Sequence, residues 1–376
     1  MAGARVIDSA LIVGGGVGGM TAAISLARRG VAVTLVDIDP EWRVYGAGIS
    51  VTGISLRAFD DLGIYDAVKQ RGFIAAGFRM RSVNGDILMD TPPIDNPAPI
   101  QQGGGIMRPA LHDILSSVVL REGIAVRLGI SVDALEQDDD GVDVRFSDGS
   151  AGRYDLVVGA DGINSGVRKL IFPEAPAPQF TGQGCWRVTA PRPDTADCTE
   201  MYFGGEVKLG LNPVSQDEMY LFLLEHLPDN PWFDDAQLVP HVRELMAPFG
   251  GHVAAAREAL TDPSQVNYRP LEWLLLPDPW YEKRVVLIGD AAHATTPHMA
   301  SGAGIAAEDG LVLAEEIARH DDVALALRSF MDRRFERARL VVENSVRIGE
   351  LEMAGESGPG SGTMLGETMG RLQQPY

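Results

Sequence analysis

Residues 10–37 read ALIVGGGVGGMTAAISLARRGVAVTLVD: a short apolar run, a glycine turn, an alanine-rich helical stretch, Gly30, and a second β-branched run. That order predicts one complete βαβ unit. Gly14, Gly16 and Gly19 stand in G-x-G-x-x-G register, Val17 opens the helix, and Asp37 ends the second strand at about the 20-residue offset of a ribose-binding carboxylate. Gly14 permits the tight turn, Gly16 lets backbone approach a pyrophosphate, and Gly19 lets helix and strand pack closely, while the free N–H groups of the helix start attract the anion. A dinucleotide is therefore expected here, and the motif alone does not separate NAD from FAD.

The rest of the composition bounds the partners. At about 150 residues per domain, 376 residues make two or three domains, with 45% hydrophobic and 22% charged residues typical of a globular chain. Lys plus Arg is 32 and Asp plus Glu is 52, so the net charge is −20, which repels nucleic acid and anionic membrane surfaces; neither is an expected partner. An anionic cofactor must then rely on local cations or helix termini. The two cysteines, Cys185 and Cys198, form no CxxC pair and no metal-spaced cluster, so no metal is expected and both read as buried thiols of a cytoplasmic protein. The uncharged stretch Ala10 to Ala27 is broken by glycines and falls short of the roughly 20 apolar residues of a membrane span. No segment is expected to be removed.

Further along, Gly46 to Gly53 (GAGISVTG) is a second glycine-rich loop, leading into an amphipathic helix that ends near Gly63, both expected beside the nucleotide. Residues 78–99 read as strands around an Asn84-Gly85 hairpin and then a proline-rich loop. Arg108 and Pro109 precede a helix, LHDILSSVV, and Asp138 to Asp140 read as a solvated turn. From about Gln179 to Trp273 the strand-like pieces GCWRVTAP, EMYFGG, VKLGLNPV and EMYLFLLEH predict a largely antiparallel sheet with a helix, inserted into the first domain.

Three separated segments share one design: IVGGG, LVVGADG (156–162) and VLIGDAAH (286–293) are apolar strands meeting glycine at their carboxyl ends, where ligands of open α/β sheets sit. With the stretches GADGINSGVRK (159–169) and GDAAHATTPHMASGAGIAAEDG (289–310), the chain resembles the FAD-dependent aromatic hydroxylases, the single-component flavoprotein monooxygenases that include salicylate and hydroxybenzoate hydroxylases. The resemblance covers nearly the whole chain. With the chain pattern it predicts an α/β fold: a discontinuous Rossmann-like FAD-binding domain (1–75, 101–178 and 274–353), an inserted, mostly antiparallel substrate domain (76–100 and 179–273) and C-terminal helices, while composition predicts a flexible Gly/Ser-rich tail (354–376).

The resemblance also implies roles. Gly14, Gly16, Val17 and Gly19 hold the FAD pyrophosphate, Asp37 the adenosine ribose, and Arg108 lies beside the FAD. The Asp161 motif serves FAD and the nicotinamide donor, with Ser165 and Arg168 holding its turn, although an Asp-Gly after a strand can equally be a plain turn. Gly289 and Asp290 meet the ribityl chain, Pro297 lies against the isoalloxazine, and the helix start Ser301, Gly302, Ala303, Gly304 stabilises negative charge on reduced flavin. Where many relatives carry G-Q-G, this chain has Ala300, Ser301, Gly302, and Gly310 replaces a usual alanine. His293 and His298 are expected to be structural.

The implied reaction takes hydride from NADH or NADPH to FAD, adds dioxygen to form a C4a-hydroperoxide, and hydroxylates a small aromatic or heteroaromatic substrate, in a monomer or homodimer. Tyr220 matches a substrate-facing tyrosine, and strand alternation puts Phe222 and Leu224 on its face. Lys208 aligns with a substrate-anchoring basic residue of some relatives, and His226 ends the tyrosine strand as a candidate base, each with a plain structural alternative. Arg187 and Arg269 are weaker candidates. Competing readings are a redox-neutral flavoprotein cyclase or isomerase, a flavin-dependent halogenase, for which the W-x-W-x-I-P stretch is missing, and a nicotinamide dehydrogenase.

Overall fold

The computed structural model describes residues 6–44, 46–75, 77–91, 97–356 and 359–376, with side chains described outside 359–361. The chain divides into two compact units, Met1–Arg43 with His112–Gln179 and Glu272–Tyr376, and Val44–Leu111 with Phe180–Leu271.

In the first unit, strand Ser9–Val13 lies between Leu156–Gly159 and Ala32–Asp37, all parallel, with Ala10 opposite Leu156 and Ile12 opposite Leu35. Ala125–Leu128 and Val285–Leu287 extend this sheet in parallel, and Tyr281–Glu282 adds an antiparallel edge. The strands are short apolar runs because both faces are covered; Leu11, Ile12, Leu35 and Val157 have no exposure. The helix Val17–Ala27 returns the chain between the first two strands and packs on the helix Gly302–Arg319. That packing explains Gly310. A Cβ there would come within 2.5 Å of the Ala22 nitrogen, so only glycine lets the two helix backbones approach this closely.

The second unit is built on a seven-stranded sheet in the order Val266–Trp273, Gln179–Pro191, Glu218–His226, Lys208–Pro213, Thr199–Phe203, Phe78–Ser82, Ile87–Thr91. The pairs running from Gln179–Pro191 to Thr199–Phe203 are antiparallel, Thr199–Phe203 with Phe78–Ser82 is parallel, and Phe78–Ser82 with Ile87–Thr91 is antiparallel. The last two strands form the hairpin expected around Asn84-Gly85, with Gly85 at φ +93°. One face of the sheet presents Trp186, Val188, Leu209, Leu211, Leu221 and Leu223 to the helices Asp235–Met246 and Gly251–Ala259, which return Val242, Met246, Val253 and Ala256. Burying an apolar side chain of this size stabilises by about 1.5–3 kcal/mol, so this layer is the unit's core.

Three expectations need correction. Residues 44–75 and 101–111 belong to the second unit. The glycine-rich loop is in part a strand, Gly48–Val51, which pairs with Gly103–Met107, as does Phe73–Ala75, and the Asn212 amide donates to Ser50 Oγ at 2.8 Å. The described part of the expected Gly/Ser-rich tail carries a helix: Pro359–Leu372 is helical, Thr368 and Leu372 are buried, and Arg337 and Arg333 donate to the carbonyls of Leu372 and Tyr376. The proline-rich loop lies partly outside the described residues, at 92–96.

Candidate active site

The glycine turn sits where the parallel strands end. Gly14 N–H donates to Val36 O at 2.8 Å and holds φ +106°, and a Cβ on it would strike the Ala160 carbonyl, so the turn crosses directly over the end of Leu156–Gly159. A Cβ on Gly19 would strike Gly14 O, which is the close helix–strand packing expected of the third glycine. A Cβ on Gly16, by contrast, would meet nothing within 4 Å. Open space beside an uncapped helix start is what a pyrophosphate requires, and no side chain caps Val17–Ala27. Asp37 accepts from Gly15 N–H at 2.6 Å and Asp39 N–H at 2.8 Å, so its carboxylate is fixed at the turn while still half-exposed. The residues present fit an FAD adenosine diphosphate.

Trp42 was not legible from the sequence. Its indole N–H donates to Gly15 O at 3.4 Å, and its ring meets His112 edge-on at 5.3 Å. Burial pushes the His112 imidazole below its usual pKa, so it stays neutral there.

At the second strand end, Asp161 accepts from Ser165 Oγ and from the Gly166 and Val167 N–H groups, capping the helix Gly166–Ile171. Ser165 in turn accepts from Arg168 N–H, and the buried Arg168 guanidinium donates to Ile163 O at 2.6 Å and Ala291 O at 2.9 Å. Arg168 thereby ties the second strand end to the third, and its role is to position that turn.

At the third strand end, Asp290 is exposed and begins a short helix, Asp290–His293. The preceding Gly289, at φ +58°, donates to Asp309 Oδ2 at 2.9 Å. Asp309 also binds His293 Nε2 at 2.5 Å and Arg334 Nε at 2.7 Å, and Arg334 reaches Glu308 and Ile305 O. Burial pushes the Asp309 carboxyl up, but His293 and Arg334 more than offset it and hold it below its usual range. This sealed network fixes Gly289 and therefore Asp290; His293 is a structural histidine, as expected. His298, also buried, bonds Thr296 through Nδ1 and pairs with Glu352 at 3.3 Å. Pro297 is half-buried just before it. Ala300 adopts φ +48°, a left-handed conformation that glycine takes freely, and Ser301 then caps Gly302–Arg319 without a side-chain bond, donating instead to Met299 O. The helix start Gly302, Ala303, Gly304 thus carries no side-chain cap from Ser301.

In the second unit the face opposite the helices carries Tyr220, Phe222 and Leu224, with register partners Thr189, Arg187 and Cys185 on one side and Asn212, Gly210 and Lys208 on the other. Tyr220 packs with Ala47, Val214, Met107 and Phe222, its ring 6.0 Å from that of Phe222. Burial pushes the Tyr220 phenol up to about 12 against the opposing pull of Arg187 and Arg108, so it is a neutral hydrogen-bonding group at physiological pH. A cleft of about 600 Å³ opens alongside, lined by Ala47, Met107, Thr189, Asp217, Gln265 and Asn267. Lys208 is half-buried two strands from Arg187. His226 is exposed at the far end of its strand, six residues and about 20 Å from Tyr220.

Residues 8–345 match the FAD binding domain family, and the chain belongs to that family. It is 32% identical over 311 residues to 2-heptyl-3-hydroxy-4(1H)-quinolone synthase of Pseudomonas aeruginosa, covering 81% of this chain and 79% of that one. It is 31% identical over 352 residues to aurachin C monooxygenase/isomerase of Stigmatella aurantiaca, covering 91% and 88%. Among solved structures, HpxO of Klebsiella pneumoniae with FAD and uric acid superposes with a TM-score of 0.83 at 24% identity, covering 100% of this chain and 94% of that one, a likeness of fold. The protein is an FAD-dependent monooxygenase of the aromatic hydroxylase type. Among the described residues no helix is long and apolar enough to cross a membrane, and both cysteines are free and buried.

Proposed function

We propose that the protein hydroxylates a small N-heteroaromatic or phenolic ring, using NADH or NADPH as electron donor, in the cytoplasm. One oxygen atom of dioxygen enters the ring and the other leaves as water, with two electrons supplied by the nicotinamide. Bound FAD supplies the redox and oxygen-activating chemistry. Gly14, Gly16, Val17, Gly19 and Asp37 would hold its adenosine diphosphate, Asp290 its ribityl chain, and the N–H groups of Gly302 to Gly304 its electron-rich pyrimidine edge.

The observation that carries the reading is the cleft of about 600 Å³ beside the buried Tyr220 cluster, a size that suits a mono- or bicyclic ring. Ala47 and Met107 line the cleft and supply apolar contact, with Val214, Phe222 and Tyr220 packed against them, and the neutral Tyr220 hydroxyl would donate to, or accept from, a ring oxygen or nitrogen that reaches it. A quinolone-like ring is favoured because one relative is named for such a product and another is a 6-hydroxynicotinate 3-monooxygenase. His226 is too far along its strand to share a proton with Tyr220, and Lys208 serves at most as a flanking cation.

The test is a screen of hydroxyquinolines, hydroxypyridines and hydroxybenzoates for compounds that accelerate NAD(P)H oxidation by the FAD-loaded protein, with product mass measured. A substrate gaining 16 mass units supports the reading. If every compound that accelerates oxidation is returned unchanged, or none accelerates it, the assignment of substrate class falls.

A further inference from the structure

A hydroxyl, an imidazole and a carboxylate stand in series at the entrance to the strand Thr199–Phe203, all within the second unit. Thr195 Oγ1 lies 2.8 Å from His252 Nε2, and His252 Nδ1 lies 3.0 Å from Glu200 Oε2. Burial is graded along the series: Thr195 is exposed, the His252 side chain is 12% exposed, and that of Glu200 is sealed. None of the three lines the cleft beside Tyr220.

Chemistry fixes where the protons sit. An ionised carboxylate only accepts, so His252 Nδ1 carries the hydrogen it shares with Glu200. A neutral imidazole has one N–H, so Nε2 keeps a lone pair and the Thr195 hydroxyl donates to it. Arg81 and Arg79 already offset the Glu200 charge, so the carboxylate holds the ring in this tautomer and orientation.

Both ends of the series are held by main chain. Arg192 donates to Pro193 O at 3.3 Å, Asp194 O at 3.4 Å, Ala196 O at 3.0 Å and Gln216 O at 2.8 Å, so one guanidinium ties down the turn that bears Thr195. At the other end, Gly250 donates to Val83 O at 2.8 Å, a Cβ on it would strike the Asn84 carbonyl, and Gly251 holds φ +58°. The helix start carrying His252 is therefore seated on the hairpin tip by a close backbone approach. A hydroxyl oxygen open to solvent is thus preorganised against a base that is itself oriented, the arrangement that activates a weak nucleophile.

We propose that Thr195 is a nucleophile with His252 as its general base, and that it accepts an acyl group from an uncharged activated ester or thioester. Oγ1 bonds to the acyl carbon as the hydroxyl proton passes to His252 Nε2. The bond from that carbon to the leaving oxygen or sulfur breaks, and the departing group keeps the electron pair and takes the proton from His252. The product is a threonine ester and a free alcohol or thiol, with no change of oxidation state. Uncharged donors are preferred because Asp194, fully exposed, and Asp197 flank the hydroxyl and repel anions.

The experiment incubates the FAD-loaded protein with p-nitrophenyl acetate, follows nitrophenolate release, and locates acetyl groups after acid quench by intact mass and peptide fragmentation. The wild type should release about one equivalent in a burst and carry the acetyl group on Thr195. Thr195→Ser should keep the burst and Thr195→Val should abolish it. His252→Ala should slow acetylation of Thr195 by more than about tenfold, since a positioned base contributes at least that much. Flavin content and melting temperature check the fold of each variant, and Thr195→Val, at an exposed position, decides the matter even where His252→Ala does not fold. The proposal is overturned if the acetyl group maps only to other residues, if Thr195→Val keeps the burst, or if the rate at Thr195 in His252→Ala stays within about tenfold of the wild type.

Discussion

Glu200 offers the sharpest test of the division of labour between the two faces of the seven-stranded sheet. Its side chain is fully sealed and lies on the helix-covered face, opposite Leu211. Arg81 grips both its oxygens at 2.8 Å, Arg79 donates at 3.2 Å, His252 at 3.0 Å, and the Tyr202 hydroxyl at 3.1 Å. Burial pushes its carboxyl up, but His252 and Arg81 more than offset this and hold it at about 2 against an ordinary 4.5. That difference corresponds to about 3 kcal/mol of stability at neutral pH, since each pKa unit is worth about 1.4 kcal/mol. The folded-state pKa is depressed, so the contribution is present above the unfolded value and is lost as pH falls from about 4.5 toward about 2. Glu200→Gln should lower the unfolding free energy in urea at pH 7 by about 3 kcal/mol, and its stability should fall less steeply than the wild type's over that acid window. Ligand binding at the Tyr220 face should stay within about twofold, because no part of that face touches Glu200. A variant within about 0.5 kcal/mol of wild type, or one with the wild-type acid slope, would refute the electrostatic reasoning; an intact fold with lost ligand binding would refute the separation of faces.

Gly14→Ala places a Cβ against the Ala160 carbonyl at φ +106°, a strain of about 1–3 kcal/mol, and should lower FAD affinity tenfold or more in a flavin-content titration. Asp309→Asn removes the charge that pairs with the fully buried Arg334 and should cost about 3–5 kcal/mol by denaturant unfolding. Deleting residues 359–376 uncovers the long helix Val323–Met353 and strips the carbonyl partners of Arg333 and Arg337. A melting temperature lower by several degrees in calorimetry is expected, and an unchanged one would show the terminal helix to be dispensable.

The dinucleotide unit was open to sequence reading because its determinants are local. Strand, glycine turn, helix and terminal acid follow one another within residues 9–37, and a Cβ at Gly14 or Gly19 would strike backbone. The face shared by Tyr220, Phe222 and Leu224 was open for the same reason, since strand alternation has a period of two. The tail misled because glycine and serine content speaks only to local propensity. Leu372 and Thr368 find burial against a helix some twenty residues or more upstream, and that contact outweighs poor intrinsic helicity.

Local sequence therefore determined the dinucleotide site, the strand pieces of the second sheet and the residues that share a face with Tyr220, and the family resemblance added FAD. Tertiary structure alone decided what depends on distant residues meeting: that Asp309 collects Gly289, His293 and Arg334, that Trp42 lies on the glycine turn, and that Gly310 lets two helices touch.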